Sequence, residues 1–301
     1  MTHRQAVWVM VAVTLMWSIA GVVSRWLESA RGFEVTFWRS AFNALTLVLL
    51  LGWLKGPGPL WSTLRGGGRA LWASGGCWAV MYTAFMMALT LTSVANVLVT
   101  MALGPLFTAL LARVALGHRL AARTWGAIAL AGAGIAWMYG HEVTSGDSSA
   151  LLGTLVALAV PVAAAINWTL LQHSKGRGQA GEAPPDMLSA VLIGAVLSAA
   201  VTLPLAWPLA TSAHDLGLLA LLGSVQLAIP CLLAVAVARV LSGPEISLLG
   251  LLEVIFGVLW AWLGVNEAPS WAVLAGGSLV LVSLVGNELL GLRRRAAAPL
   301  A

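Results

Sequence analysis

The chain has 301 residues, of which 60% are hydrophobic and only 9% are charged, and its mean hydropathy is +0.92. A soluble domain carries about 25% charged residues, so this composition excludes a soluble protein and predicts an all-α polytopic membrane protein. The net charge of +5 does not indicate a nucleic-acid partner, because the basic residues stand singly or in threes between apolar runs.

Ten apolar stretches follow one another along the chain, each close to the ~20 residues that cross a bilayer. The first is too long for the core of a signal peptide, so we interpret it as a retained helix. Only Leu91 and Thr92 separate the third and fourth stretches, which makes these two helices antiparallel neighbours. The predicted spans are residues 6–27, 35–54, 70–90, 93–112, 122–140, 150–172, 187–207, 216–238, 243–264 and 271–290.

The loops on the two sides of the predicted membrane differ in charge. One side holds 13 of the 16 basic residues, and the remaining three are Arg25, Arg31 and Arg39. Because Lys and Arg concentrate in cytoplasmic loops, we predict that both termini are cytoplasmic. The excess of Arg over Lys, 14 to 2, is typical of a GC-rich bacterial genome, so we expect a bacterial inner membrane. The loops of the other side are acidic, with Glu28, Glu34, Glu142, Asp147, Asp215 and Glu267.

Ten spans divide into two five-helix halves, residues 1–145 and residues 146–301, the second ending in a short basic cytoplasmic tail. Because five is odd, a second half that repeats the first enters the membrane from the opposite side. A shift of 149 residues aligns residues 93–119 with residues 242–268, and Phe107 then faces Phe256 within matching apolar patterns. Inverted repeats of this kind are typical of transporters with a site between the halves.

Eight short motifs lie at the ends or in the middle of the predicted spans. They are LMWS at 15–18, FWRS at 37–40, MAL at 87–89, SVAN at 93–96, LGP at 103–105, LGHR at 116–119, SGPE at 242–245 and VNEAP at 265–269.

With these motifs, the whole chain resembles the drug/metabolite transporter superfamily in its ten-helix EamA-type branch. That family usually has a Glu after the fourth and ninth spans, where this chain has His118 and Glu267. Trp17, the pair of Trp78 and Tyr82, and Glu253 make the chain most similar to bacterial aromatic amino-acid exporters. The resemblance implies export of aromatic and other neutral amino acids.

Fifteen tryptophans are far more than usual. Four of them, Trp17, Trp78, Trp168 and Trp260, fall well inside their spans, where they either pack against lipid and helices or line an aromatic cavity. Trp78 and Tyr82 are four residues apart and share a helix face. Trp61 is expected in a loop. Seven more lie near span ends, a position typical of the membrane interface, namely Trp8, Trp26, Trp53, Trp72, Trp137, Trp207 and Trp271.

Glu253 lies about ten residues into the ninth span. A charge at the centre of a membrane helix costs ~2.5–3.5 kcal/mol on insertion scales, so this carboxylate needs a cavity, a cation or a proton. It is either a structural hydrogen-bonding group, a contact for a substrate amino group, or a proton site.

Uncharged polar residues inside spans either join helices or line the substrate path. Asn167 and Gln226 belong to this group. Arg39 is expected to pair with Glu34 or Glu28 at the surface. The predicted substrate-binding residues are Trp17, Asn43, Trp78, Tyr82, Asn96, Met101, Trp168, Glu253 and Trp260.

Prolines at 105, 161, 204 and 230 lie inside spans, where proline removes a backbone hydrogen bond and kinks a helix. Such breaks recur beside the binding sites of transporters. We predict hinges at Pro105, Pro161 and Pro230, and we expect the fourth and ninth spans to form cavity walls.

The sequence contains no GxxxxGK[ST], HExxH or GxSxG motif, and its five histidines lie in loops or at span ends. We therefore predict a secondary transporter with no catalytic residues, no cofactor and no metal, working by alternating access. A multidrug, sugar or nucleotide-precursor transporter is the alternative, and an intramembrane enzyme is a remote one. The expected partners are an amino-acid substrate and the bilayer, and the protein is a monomer or a homodimer. Both proton exchange and facilitated diffusion fit the sequence.

Overall fold

The computed structural model describes residues 1–116, 122–145, 148–179, 187–241 and 243–297, and these ranges are helical with short connections. Of the residues singled out above, His118 and Asp147 lie outside the described residues. A π-helical segment, Leu222–Ala228, lies between α12 and α13. The helices are α1 (His3–Ser18), α2 (Ala20–Arg25), α3 (Gly32–Lys55), α4 (Pro57–Gly66), α5 (Arg69–Leu91), α6 (Val94–Met101), α7 (Gly104–Leu116), α8 (Ala122–Ser145), α9 (Ser148–Ala157), α10 (Ala159–Gln179), α11 (Leu188–Ala206), α12 (Ala213–Leu221), α13 (Ile229–Val237), α14 (Gly243–Val265) and α15 (Trp271–Ala297).

Seven helical stretches of the described residues are long and apolar enough to cross a membrane. Three shorter apolar stretches, Thr124–Trp137, Leu249–Val265 and Trp271–Asn287, coincide with the predicted fifth, ninth and tenth spans. This pattern is that of a polytopic membrane protein. The count of ten spans and the inverted repeat stay predictions.

Three helices are interrupted four residues ahead of a proline. Since proline has no N–H, the carbonyl of residue i−4 loses its helical partner. Accordingly, α6 ends at Met101 ahead of Pro105, and α9 ends at Ala157 ahead of Pro161. The π-helical segment includes Gln226, the residue four before Pro230. The hinge role of these prolines stays a prediction. Helix α11 is not interrupted by Pro204, which stands two residues before the end of that helix.

Helix α4 was not predicted from the sequence. Trp61 was expected in a loop, but it lies on α4, where it is 56% exposed. The guanidinium carbon of Arg65, four residues later, is 4.7 Å from the centre of the Trp61 ring. A search for apolar stretches of membrane-spanning length overlooks this helix, because its 10 residues are too few to cross a bilayer. The seven tryptophans near the predicted span ends are all exposed.

Helices of residues 1–145 pack mainly on helices of residues 146–301. Helix α1 packs on α13 and α14, α3 on α11 and the π-helical segment, α5 on α10 and α11, and α8 on α15. Small residues allow these close approaches: a Cβ at Gly134 would lie 2.5 Å from the carbonyl oxygen of Gly276. The core therefore lies between the two predicted halves rather than inside each of them.

Candidate functional site

Two interrupted helices meet near the middle of the bundle. The first span is broken at Ile19, between α1 and α2, and the eighth contains the π-helical segment. Gln226, in that segment, donates from Nε2 to the carbonyl oxygen of Trp17 over 3.1 Å. This carbonyl stands in the last turn of α1, where backbone acceptors lack α-helical partners. Gln226 therefore joins the two interruptions, and π-helical turns are frequent at functional sites.

Arg39 lies in the interior beside Gln226. It is only 1% exposed, and its Nη2 donates to Oε1 of Gln226 over 2.9 Å. The guanidinium carbon of Arg39 is 5.5 Å from the centre of the Phe85 ring. Arg39 is the eighth residue of α3, about 10 Å along the helix from its first residue. A positive charge is thus held within the bundle by an amide and an aromatic face.

The prediction that Arg39 pairs with Glu34 or Glu28 is wrong. Residues five apart on an α-helix point about 140° away from each other, so Arg39 and Glu34 face different neighbours. The carboxylate of Glu34 instead accepts hydrogen bonds from the backbone N–H of Ala210, over 2.7 Å, and from the hydroxyl of Thr211.

Aromatic rings lie on the α5 side of this polar region. Trp78 and Tyr82 are 5% and 3% exposed, and their ring centroids are 5.5 Å apart. The partly buried Trp17 packs against the same cluster of buried residues. The hydroxyl of Tyr82 faces Cys231 and Asn43, yet it makes no hydrogen bond of normal geometry.

Two further polar side chains of this region have no hydrogen-bond partner among the described residues. Asn43 is fully buried on α3, one turn after Arg39, and neither its Nδ2 nor its Oδ1 is hydrogen-bonded. Glu253, at the middle of α14, is partly exposed and has no hydrogen-bond or ion-pair partner among the described residues. It lies close enough to Arg39 for the two charges to interact. We call Arg39, Asn43, Tyr82, Gln226, Cys231 and Glu253 the central polar cluster.

Several predicted site residues have partners outside this cluster. Trp260 donates from Nε1 to the hydroxyl of Ser18 over 3.1 Å. Asn96 lies in the first turn of α6 and donates to Thr92 within its own chain segment. Met101 ends α6 and packs in the larger apolar core. Trp168 is partly buried on α10. Their role in substrate binding stays a prediction.

Arg39 and Gln226 are not among the substrate-binding residues predicted from the sequence. One signal was present in the sequence. Arg39 and Asn43 are four residues apart, so they share one face of α3. A buried charge with a polar neighbour on the same face indicates an interior polar site rather than a surface pair.

One end of the bundle is tied together by ionic hydrogen bonds, and we call it the acidic end because it holds Glu28, Glu34, Asp215 and Glu267. Arg25 donates from Nε to Glu267 over 2.7 Å, and its two other nitrogens donate to the carbonyl oxygens of Leu89 and Thr92.

The same Glu267 also holds the start of α6. Its Oε1 accepts the backbone N–H of Val94 over 2.7 Å, at a helix N-terminus that favours negative charge. The preceding Asn266 has φ of 53°, a left-handed conformation that Asn tolerates better than most residues. This turn aims Glu267 at α2 and α6, so one carboxylate links three segments.

A second carboxylate closes the acidic end on the other side. Asp215 is fully buried in the first turn of α12. Its oxygens accept backbone N–H groups of Glu28, Ser29 and Ala30 at 2.8–3.0 Å, and also the hydroxyl of Ser29. The connection between α2 and α3 is thereby fixed to α12.

Glu267→Gln is expected to loosen the acidic end. The change removes the charge of a hydrogen bond that links residues 242 apart, and charge-assisted bonds contribute about 1.5–3 kcal/mol. Loss of about 1.4 kcal/mol would raise the population of an opened acidic end about 10-fold. The measurement uses a protein that lacks Cys77 and Cys231 and carries cysteines in place of the exposed Thr90 and Ala268. The distance between spin labels on these two cysteines reports the opening of the acidic end.

Glu28→Gln is the matched control for this measurement, because Glu28 is an exposed carboxylate at the same end whose hydrogen bonds to described residues are made by its backbone N–H and carbonyl groups. Equal distance distributions in Glu267→Gln and Glu28→Gln would show that the ion pair does not hold the acidic end closed.

These features define a multi-pass membrane protein with a polar site inside the bundle. Residues 4–140 match the EamA-like transporter family. Members of that family are transporters, so the match indicates a membrane transporter of small solutes rather than an enzyme. A solved crystal structure is similar over 96% of this chain and 99% of its own, with a TM-score of 0.60 and 19% identity, a likeness that shows the fold alone. No curated protein sequence matches the chain.

Proposed function

We propose that the protein exports small neutral amino acids, aromatic ones above all, across a bacterial inner membrane. The solute enters a central site from the cytoplasm, and the bundle then opens at the acidic end. The observation that carries the proposal is the central polar cluster, where unpartnered polar groups stand beside the rings of Trp17, Trp78 and Tyr82.

The chemistry of this cluster fits an amphipathic solute. Aromatic faces bind planar or apolar side chains, whereas a carboxylate such as Glu253 binds an ammonium group. In lipid, polar groups without protein partners are costly, so a bound solute that supplies hydrogen bonds is stabilised there. An aromatic amino acid carries both kinds of group in one small molecule.

The helix interruptions support alternating access. The first and sixth spans hold the same place in the two predicted halves, and both are broken, at Ile19 and at Leu158. Interrupted spans at corresponding places are the usual position of a transporter site. The bonds of Arg25 and Asp215 close one end, so export requires that these bonds break and reform in each cycle.

Uptake of labelled tryptophan, phenylalanine, threonine and leucine into liposomes holding the purified protein tests the proposal. We expect tryptophan entry that other aromatic amino acids compete away. Trp17→Ala and Glu253→Gln are each expected to lower the initial rate about 10-fold, as loss of one hydrogen bond or aromatic contact worth about 1.4 kcal/mol would do.

Trp8→Ala is the control for Trp17→Ala, because Trp8 is on the same helix but 64% exposed. A rate that rises with a pH gradient would make the protein a proton-coupled exporter, and an unchanged rate would make it a facilitator. The absence of any amino-acid movement would refute the proposed substrate class and direct the assay to drugs, sugars and nucleotide precursors.

A further inference from the structure

The guanidinium of Arg39 has too few acceptors for its donors. A guanidinium carries five N–H bonds and accepts none. Its Nη2 donates to the neutral amide of Gln226, while Nε and Nη1 are buried with no hydrogen-bond partner in the described part of the chain. Buried charges in proteins are ordinarily paired, so this site lacks an anionic acceptor.

The groups around Arg39 are short of partners in the same way. Asn43, one turn along α3, has an amide with neither donor nor acceptor engaged, and the Tyr82 hydroxyl opposite is likewise unbonded. Three side chains from two helices therefore present free donors to one buried region. Donors grouped in this way fit an oxygen-rich anionic group such as a carboxylate.

Glu253, on α14, has a carboxyl group that makes no hydrogen bond or ion pair with Arg39 in the described part of the chain. The two side chains are close enough to interact electrostatically but remain separate. A guanidinium and a carboxyl group that do not pair with each other can each bind one charged group of a zwitterion.

We propose that Arg39 binds the α-carboxylate of a zwitterionic substrate, with Asn43 and Tyr82 donating to the same group and Glu253 receiving the ammonium. The proposal rests on the proposed transport of amino acids and names the chemistry by which they are recognised. It also assigns a substrate-binding role to an arginine that the sequence pattern had placed at the surface.

The first test changes the ligand and leaves the protein intact. Labelled tryptophan bound to the purified protein is competed with tryptophan, with tryptamine, which lacks the carboxylate, and with indole-3-propionate, which lacks the ammonium. We expect both analogues to compete at least about 10-fold more weakly than tryptophan, because each leaves one buried charge without its partner.

The second test uses variants of Arg39 in the same assay. Arg39→Gln is expected to bind tryptophan about 10-fold or more weakly while tryptamine competition is unchanged, so the preference for a carboxylate disappears. Arg39→Lys keeps the charge and is expected to keep part of the preference. Arg69→Gln is the matched control, because it removes an exposed arginine at the first position of α5. This variant should bind tryptophan as the wild type does.

The outcomes separate this proposal from the proposed function. Tryptophan transport with equal competition by tryptophan and tryptamine would overturn the role of Arg39 and leave amino-acid transport standing. Absence of tryptophan transport and binding would overturn both. If Arg39→Gln does not fold, competition by tryptamine and indole-3-propionate, together with the Arg39→Lys variant, still tests whether Arg39 binds the carboxylate. Tight binding of chloride that blocks tryptophan binding in the wild type but not in Arg39→Gln would identify an inorganic anion as the ligand and overturn the proposal.

Discussion

Replacing Gly223 with alanine is expected to destabilise the bundle by about 3 kcal/mol, because the added Cβ overlaps backbone atoms that cannot move aside as a side chain can. That Cβ would lie 2.5 Å from the carbonyl oxygen of Arg39, 2.6 Å from Cβ of Phe42 and 2.8 Å from the backbone nitrogen of Asn43. The change is expected to push the π-helical segment away from α3. Because Gln226 lies in that segment, its amide would also move away from Arg39. Thermal unfolding of the purified protein, together with its folded yield, measures the effect.

Gly217→Ala is the control in the same span. A Cβ at Gly217 meets nothing within 4 Å, so alanine there is expected to leave stability unchanged or to raise it by about 0.5–1 kcal/mol through helix propensity. If Gly223→Ala unfolds at the wild-type temperature and binds labelled tryptophan equally well, the close approach of α3 and the π-helical segment is not required.

Asp215→Ala is expected to have the largest effect at the acidic end, a destabilisation of about 3–5 kcal/mol. The change removes a fully buried carboxylate that accepts three backbone N–H groups and one hydroxyl, and it leaves those donors unpaired. Faster amide hydrogen exchange at residues 28–30, followed by mass spectrometry, would show the lost bonds directly.

His214→Ala provides the comparison for Asp215→Ala. The His214 side chain is 52% exposed, and its Nδ1 lies 3.1 Å from Oδ1 of Asp215. Removal of the His214 side chain is expected to have little effect on stability or on amide hydrogen exchange, because exposed pairs contribute about 0–1 kcal/mol. Unaltered exchange at residues 28–30 in Asp215→Ala would contradict the role given to this carboxylate.

The positions of the membrane helices could be predicted from the sequence because the bilayer sets both their length and their composition. The predicted second span, residues 35–54, falls within Gly32–Lys55, and the seventh, residues 187–207, matches Leu188–Ala206. Helix α4 could not be found in this way, because its ten residues are too few and too polar to cross a bilayer.

The candidate site was predicted less completely. Trp78, Tyr82, Asn43 and Glu253 could be chosen because polar or aromatic groups inside a span need an explanation in lipid. Arg39 was harder to choose, because hydropathy gives its depth in the membrane only approximately and does not give its partner. Its true neighbour, Gln226, is 187 residues away in the sequence, and only the packed structure joins them.

The partners of the first span affect how the protein is made. Ribosomes add about 5–20 residues per second, and Glu267 follows Arg25 by 242 residues, so roughly 12 to 48 s separate the synthesis of the two side chains. Helix α1 packs chiefly on α13 and α14, which are synthesised late. The first helix must therefore enter the bilayer and wait, with Arg25 lacking its carboxylate, until nearly the whole polypeptide has been inserted. Truncation before α13 is expected to leave α1 without either of its main packing partners.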